Sequence, residues 1–400
     1  MNIEKYLRAK IIFPLIITFS FLIFLTHLSY TKTALYSDSR FYYSYTMSWV
    51  KDHDIKLNSE LLTLTGSKPL TNSKGLAVNT FWPGVSIIWI PAYWQADNFI
   101  RLVNLFGNFA NNDGLGIIYQ IPLAVTSILL ATFGLYLIFK IMTNYFPKKT
   151  SLITIVALFS TTNLLFYTAV EPLMSHAISF FTTSFFLYYF VNHKSGKGNY
   201  FILGLLAGAA GLVRVLNSFL LIIPAIEIGK SRYKIGQKIV FSVKLLFGYL
   251  IGFLPQIYIW KLFFNRYIIG PSWGYGFNFR NPHIDYVLFN PQNGLFTLTP
   301  VLFFAILGMI FFWKRNKELA FIGLLYFALQ LYLVSSWAEY TQGGSFSIRM
   351  LVNTYPLLSF GFAEVIDKFE KNFGGVKTIF VIGLLTLLNI LLIIRYLLIF

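Results

Sequence analysis

The chain contains no cysteine, and only 12% of its 400 residues carry a charge. The first absence excludes disulfides, thiolate catalysis and cysteine-based metal sites. The second leaves about half the charge that a soluble domain carries. Acidic residues are the scarcest, 15 against 32 lysines and arginines. The sequence has no low-complexity tract and no glycine-rich phosphate loop. Its five histidines are scattered, and none pairs with another ligand at metal-binding spacing, so no metal is expected. What fills the chain is apolar: 56% of residues are hydrophobic, in runs of about 20 that are each long enough to cross a bilayer. A soluble core cannot absorb that much apolar surface. The composition implies an all-α polytopic integral membrane protein, with residues 1–400 forming a single transmembrane domain. A net charge of +17 would suit nucleic acid. Basic residues also gather in the cytoplasmic loops of membrane proteins, and on that reading the partner is the lipid bilayer, not nucleic acid.

Charge sets the expected topology. Lys5, Arg8 and Lys10 precede an apolar run from Ile11 to Ser29, which reads as a retained signal anchor with a cytoplasmic N-terminus. A long extracytoplasmic loop follows, residues 30–114. Within it, residues 83–105 hold Pro83, Pro91, Trp89, Trp94 and Arg101, which suits an interfacial or re-entrant helix better than a crossing. Spans are expected at 115–139, 150–168 and 173–192. The block 200–228 begins and ends beside basic clusters, so it reads as a hairpin of two short helices with Gly211, Arg214 and Asn217 near its outer tip. Further spans cover 237–262, 298–313, 318–336, 349–367 and 376–399, with extracytoplasmic loops at 263–297 and 337–348. That makes about eleven transmembrane helices, and more than half of the 32 Lys and Arg fall in short inner loops.

The informative polar residues all fall at the outer ends of these spans. Asp38 follows the first span closely. Asp before a helix commonly caps free amides, and a carboxylate so held stays ionised and can serve as a base. Tyr42, Tyr45 and Trp49 come after it at helical spacing, an aromatic face suited to the lipid headgroup layer. Glu171 precedes Pro172, which fits a first helical turn. His176 lies about a turn inside that helix, as a hydrogen-bonding partner of a neighbouring helix or as a group facing a cavity. Arg214 ends a run of small residues that allow close packing; it is either snorkelling or holding an anion through its planar fork of donors. Asn290 opens a turn-rich stretch to Pro300, which is either plain turn chemistry or part of a site. Trp337, Glu339, Gly343 and Gly344 precede Arg349 in a loop whose indole could stack on a sugar.

In this order, with Phe81, Trp82, Pro83 and Gly84 opening the interfacial helix, the motifs resemble the GT-C membrane glycosyltransferases. They are most similar to the family-39-like protein O-mannosyltransferases and the aminoarabinose transferases, over roughly residues 10–365. The resemblance implies a plasma-membrane enzyme that transfers a sugar, with inversion, from a polyprenyl-phosphate donor to an extracytoplasmic acceptor hydroxyl on lipid, glycan or protein. It implies Asp38 and Glu171 as catalytic carboxylates and needs no separate cofactor. His176, Arg214, Asn290, Trp337, Glu339 and Arg349 are then the candidates for donor phosphate and substrate. The chain departs from the family in having Ser37 and Ser39 around a single acid, Trp82-Pro83 in place of two prolines, and no large soluble C-terminal domain. A flippase or transporter of lipid-linked sugars, and a glycan polymerase or ligase, are the alternative readings.

Overall fold

The computed structural model describes residues 8–192, 199–267 and 276–399. Lys5, used above for orientation, lies outside these, as do Lys194 and Lys197 of the basic cluster before residue 200. Among the described residues the regular structure is helical, apart from two isolated bridges, Thr71 with Ala77 and Phe277 with Trp337.

Helix α1 (Ala9–Thr31) is followed by the long first loop, which folds into α2 (Ser39–Met47), α3 (Asn58–Thr65) and α4 (Gly84–Asn104). Next come α5 (Ile117–Met142), α6 (Lys148–Ser160), α7 (Ser175–Asn192), α8 (Tyr200–Val213), α9 (Ile222–Lys230) and α10 (Ile235–Phe264). Two short helices, α11 (Ile284–Phe289) and α12 (Leu295–Leu298), precede α13 (Val301–Phe312), α14 (Lys317–Ser336), α15 (Tyr355–Phe373) and α16 (Gly375–Ile399). Helical segments occupy each of the predicted apolar stretches. By length and composition, five helices could cross a membrane, α1, α5, α10, α14 and α16, with α8 and α13 as shorter apolar helices.

The block 200–228 breaks where the sequence suggested. Arg214 is extended (φ −151°, ψ 124°), and a 3₁₀ segment, Val215–Leu221, leads into α9. Helix α8 packs along α10 through glycines. A Cβ on Gly204 or Gly208 would collide with the α10 main chain, and one on Gly248 or Gly252 with that of α8. Backbones approach this closely only where side chains are absent.

The expected aromatic headgroup face is corrected by the structure. Tyr42, Tyr43 and Tyr45 are buried. The Tyr45 hydroxyl donates to the carbonyls of Asn79 (3.2 Å) and Phe81 (3.3 Å), and Tyr43 donates to the Gly114 carbonyl. The reason is that α3, α4 and α10 fold over α2, so its rings pack against protein and not lipid. Residues 83–105 form one helix, α4, which buries Trp89, Tyr93 and Asp97. Asp97 pairs with Lys51 (2.9 Å) and Arg101 (2.7 Å), tying the first loop to itself.

Charged residues separate into two layers. At one end Arg315 bridges Glu364 and Asp367, Lys371 pairs with Asp367 (2.8 Å), and Lys149 pairs with Glu370. Glu364, buried within α15, is therefore part of a structural ion network. At the other end lie Asp38, Glu171, Arg214 and Arg349. From Arg349 to Glu370 the chain runs roughly 30 Å along its helix axis, close to the thickness of a hydrocarbon core.

Candidate functional site

A cavity of about 450 Å³ opens at the second of these ends. Six of the eight sequence candidates line it: Asp38, Glu171, Arg214, Trp337, Glu339 and Arg349. They come from four separate stretches of chain, so only tertiary folding brings them together.

Asp38 precedes α2 but makes no side-chain cap. Its carboxylate pairs with Arg349 at 3.1 Å and accepts from Ser37 Oγ at 3.1 Å. Of the two roles open in the sequence, capping is therefore not the one its side chain plays. Ser37 sits in the left-handed region (φ 48°), which turns the chain so that Asp38 faces the cavity.

Glu171 ends a π-helical turn, Phe166–Val170, just ahead of α7. Its carboxyl has no hydrogen bond or ion pair among the described residues. Burial pushes it up to about 7, and the negative charge of Asp38 adds to the rise, while Arg349 opposes both. Only part of the group's surface is exposed, and that part faces the cavity, so protein surrounds it on the other sides.

Arg214, 5% exposed, occupies the break after α8. Its Nη1 donates to Ser175 Oγ (3.0 Å) and to His176 Nδ1 (2.9 Å). A guanidinium offers only donors, so the facing imidazole nitrogen is a bare acceptor and His176 is neutral. His176 does not line the cavity. It lies behind Arg214, with its ring 4.5 Å from that of Tyr167, and it aims the guanidinium. Of its two sequence readings, the interhelical hydrogen bond is the one observed. Asn217 fixes the segment after Arg214 by donating to Ser179 Oγ (2.9 Å) and accepting from Asn353 Nδ2 (2.9 Å).

The loop 337–348 forms another wall. Gln342, Gly343, Gly344 and Ser347 all have positive φ (54°, 62°, 76° and 55°). Two of them are not glycine, a strain that persists only where surrounding structure enforces it. Segment 276–283 braces the base of the loop: Asn278 N donates to Ser336 O (2.6 Å) and His283 N to Ser335 O (2.8 Å).

Asn290 is a correction. It does not line the cavity. Its Oδ1 accepts from Gln292 N (2.8 Å) and Asn293 N (3.3 Å), which is the turn chemistry that was its other reading. Conversely, Tyr42, Tyr167, Gln342 and Tyr396 line the cavity without having been singled out for it. Tyr42 was visible in the sequence but assigned to lipid. Tyr167 stands four residues before Glu171, a spacing that would have placed both on one helical face.

A second, apolar cleft of about 320 Å³ adjoins the cavity. Trp82, Trp337 and Met350 line both spaces. Its other walls are Phe219, Trp260, Phe264, Phe277 and Phe279. Three carboxylates line the main cavity, yet among the described residues no three His, Asp or Glu side chains converge as metal ligands.

No protein-family model matches the chain, and no curated protein matches it.

Proposed function

We propose that this protein is a membrane glycosyltransferase of the GT-C type. It crosses the cell membrane about eleven times from a cytoplasmic N-terminus, with the cavity on the extracytoplasmic side. It takes a sugar from a polyprenyl-phosphate donor. The observation that carries the proposal is the junction of two unlike spaces. A polar cavity with two arginines and three carboxylates opens through Trp82, Trp337 and Met350 into an aromatic, apolar cleft. An amphiphile with a sugar phosphate at one end and an isoprenoid chain at the other matches both.

In the proposed reaction the prenyl chain lies in the apolar cleft and the phosphate meets Arg214 and Arg349. The phosphodiester offers the guanidinium the same pair of unesterified oxygens as a carboxylate and so takes the place of Asp38 on Arg349. Asp38, so released, takes the proton of an acceptor hydroxyl as general base. The acceptor oxygen then forms its bond to the anomeric carbon from the face opposite the phosphate, and the bond from that carbon to the phosphate oxygen breaks. The electron pair leaves with polyprenyl phosphate. The two guanidiniums, one of them aimed by His176, stabilise the charge that gathers there.

Mass spectrometry of lipid-linked sugars and envelope glycans tests this in cells with wild type, a deletion or Asp38→Asn. Both lesions should remove one sugar from an envelope glycan while its donor persists. If the deletion changes the glycan and Asp38→Asn does not, the flippase reading replaces this one.

A further inference from the structure

The stretch Asn290 to Leu298 has no place in the proposed reaction, yet it forms one side of a second opening. A cleft of about 140 Å³ is lined by Gln292, Leu298, Leu392, Arg395, Tyr396 and Ile399. Tyr396 also lines the main cavity, whereas the apolar cleft shares no residue with this one. Among the described residues the reaction cavity thus has a lateral neighbour on each of two different walls.

Position decides what this second cleft can hold. Helix α16 docks on the bundle through Thr378, Asn389 and Ile393, and its other faces expose Leu384, Leu387, Leu391, Ile394 and Leu398. That is the surface of a helix facing hydrocarbon. Gly375, at its start, lies against Lys149 in the basic layer. Arg395 is 20 residues further on, about 30 Å along the axis, which places its guanidinium at the depth of the opposite phosphate layer. Among the described residues Arg395 has neither an ion pair nor a hydrogen bond. The Gln292 carboxamide beside it is likewise without a partner, and the Asn290 side chain holds the Gln292 backbone in place. Two donor groups therefore meet at headgroup depth, flanked by Leu298, Leu392 and Ile399, and next to a ring that reaches the cavity.

We propose that this cleft binds the phosphate of an anionic membrane lipid, with Arg395 and Gln292 on the phosphate oxygens and the acyl region against Leu298, Leu392 and Ile399. A snorkelling arginine would need only water and unselective headgroups. Arg395 is exposed, as snorkelling requires, but it also borders a cleft with a second donor and a wall shared with the cavity. If the transferase reading holds, this is where a lipid acceptor presents its headgroup. The lipid site itself does not depend on that reading.

Native mass spectrometry of the full-length protein in detergent, titrated with dioleoyl phosphatidylglycerol or dioleoyl phosphatidylcholine, tests the proposal without any activity. Wild type should retain the anionic lipid over the zwitterionic one. Arg395→Gln should weaken that retention about tenfold, the scale of one lost charge-assisted contact, and Arg395→Lys should restore part of it. Arg214→Gln, in the main cavity, should leave it unchanged. The proposal is overturned if Arg395→Gln retains phosphatidylglycerol as wild type does, if it loses both lipids equally, or if only Arg214→Gln loses the preference. Selective binding with no glycosylated lipid in cells would sink the lipid-acceptor role and leave the lipid site standing.

Discussion

Glu171 offers a test that needs neither substrate. Among the described residues its carboxyl has no hydrogen-bonding partner, and burial, followed by the charge of Asp38, raises it from its ordinary 4.5 to about 7. In the folded protein it therefore keeps its proton over a range in which the unfolded chain has lost it. The sign follows from linkage. Because the folded state binds more protons between about pH 4.5 and pH 7, stability falls as pH rises through that window and is level above it. A rise of this size corresponds to at most about 3 kcal/mol. Since one side of the group meets cavity water, about 1–2 kcal/mol is the working figure. Glu171→Gln removes the ionisation and keeps the shape. The variant should match wild type near about pH 4 and be the more stable of the two near about pH 8. Apparent Tm of purified protein, followed by tryptophan fluorescence across that range, measures the gap. A difference that stays flat with pH, or that opens towards acid, refutes the account of Glu171.

Other consequences are equally concrete. Asp38→Asn should lower transfer by about 10²–10⁴-fold, the usual contribution of a general base, with folding intact by fluorescence-detected size exclusion. Gly204→Leu should separate α8 from α10, since even a Cβ there meets the Leu245 carbonyl, and should show as loss of monodisperse protein, whereas Gly236→Leu, which meets nothing, should not. Arg315→Ala leaves Glu364 and Asp367 buried with only lysine partners, and should lower stability by about 2 kcal/mol, below the full cost of an orphaned buried charge. His176→Phe should weaken donor use by releasing Arg214, a KM effect larger than the kcat effect.

Much of this architecture was legible in the chain because apolar periodicity and charge act locally. The break at Arg214 followed from a block too short for two ordinary spans and flanked by lysines. Asp38, Glu171, Arg214 and Arg349 were legible as a group because all four fall at the outer ends of expected spans, and ionisable groups near membrane depth usually face a cavity. What was not legible depended on distant chain. Nothing local to α2 says that α3, α4 and α10 will cover Tyr42 and Tyr45, so the headgroup assignment failed. His176 and Arg214 are 38 residues apart, so which of them faces the cavity was a tertiary matter. Asn290 failed for the opposite reason: its local turn chemistry was a sufficient account, and the site reading added a role the fold does not use.

The welded glycine face of α8 and α10 has one more consequence. Arg214 stands at the end of a helix whose distance from its neighbour is set by backbone contact, while the wall opposite is a loop held in left-handed backbone. The cavity is thus a vice with one fixed jaw. On the transferase reading, variation in what the protein accepts can accumulate in residues 337–348 without moving Arg214, so a library confined to that loop is where altered sugar preference is to be sought.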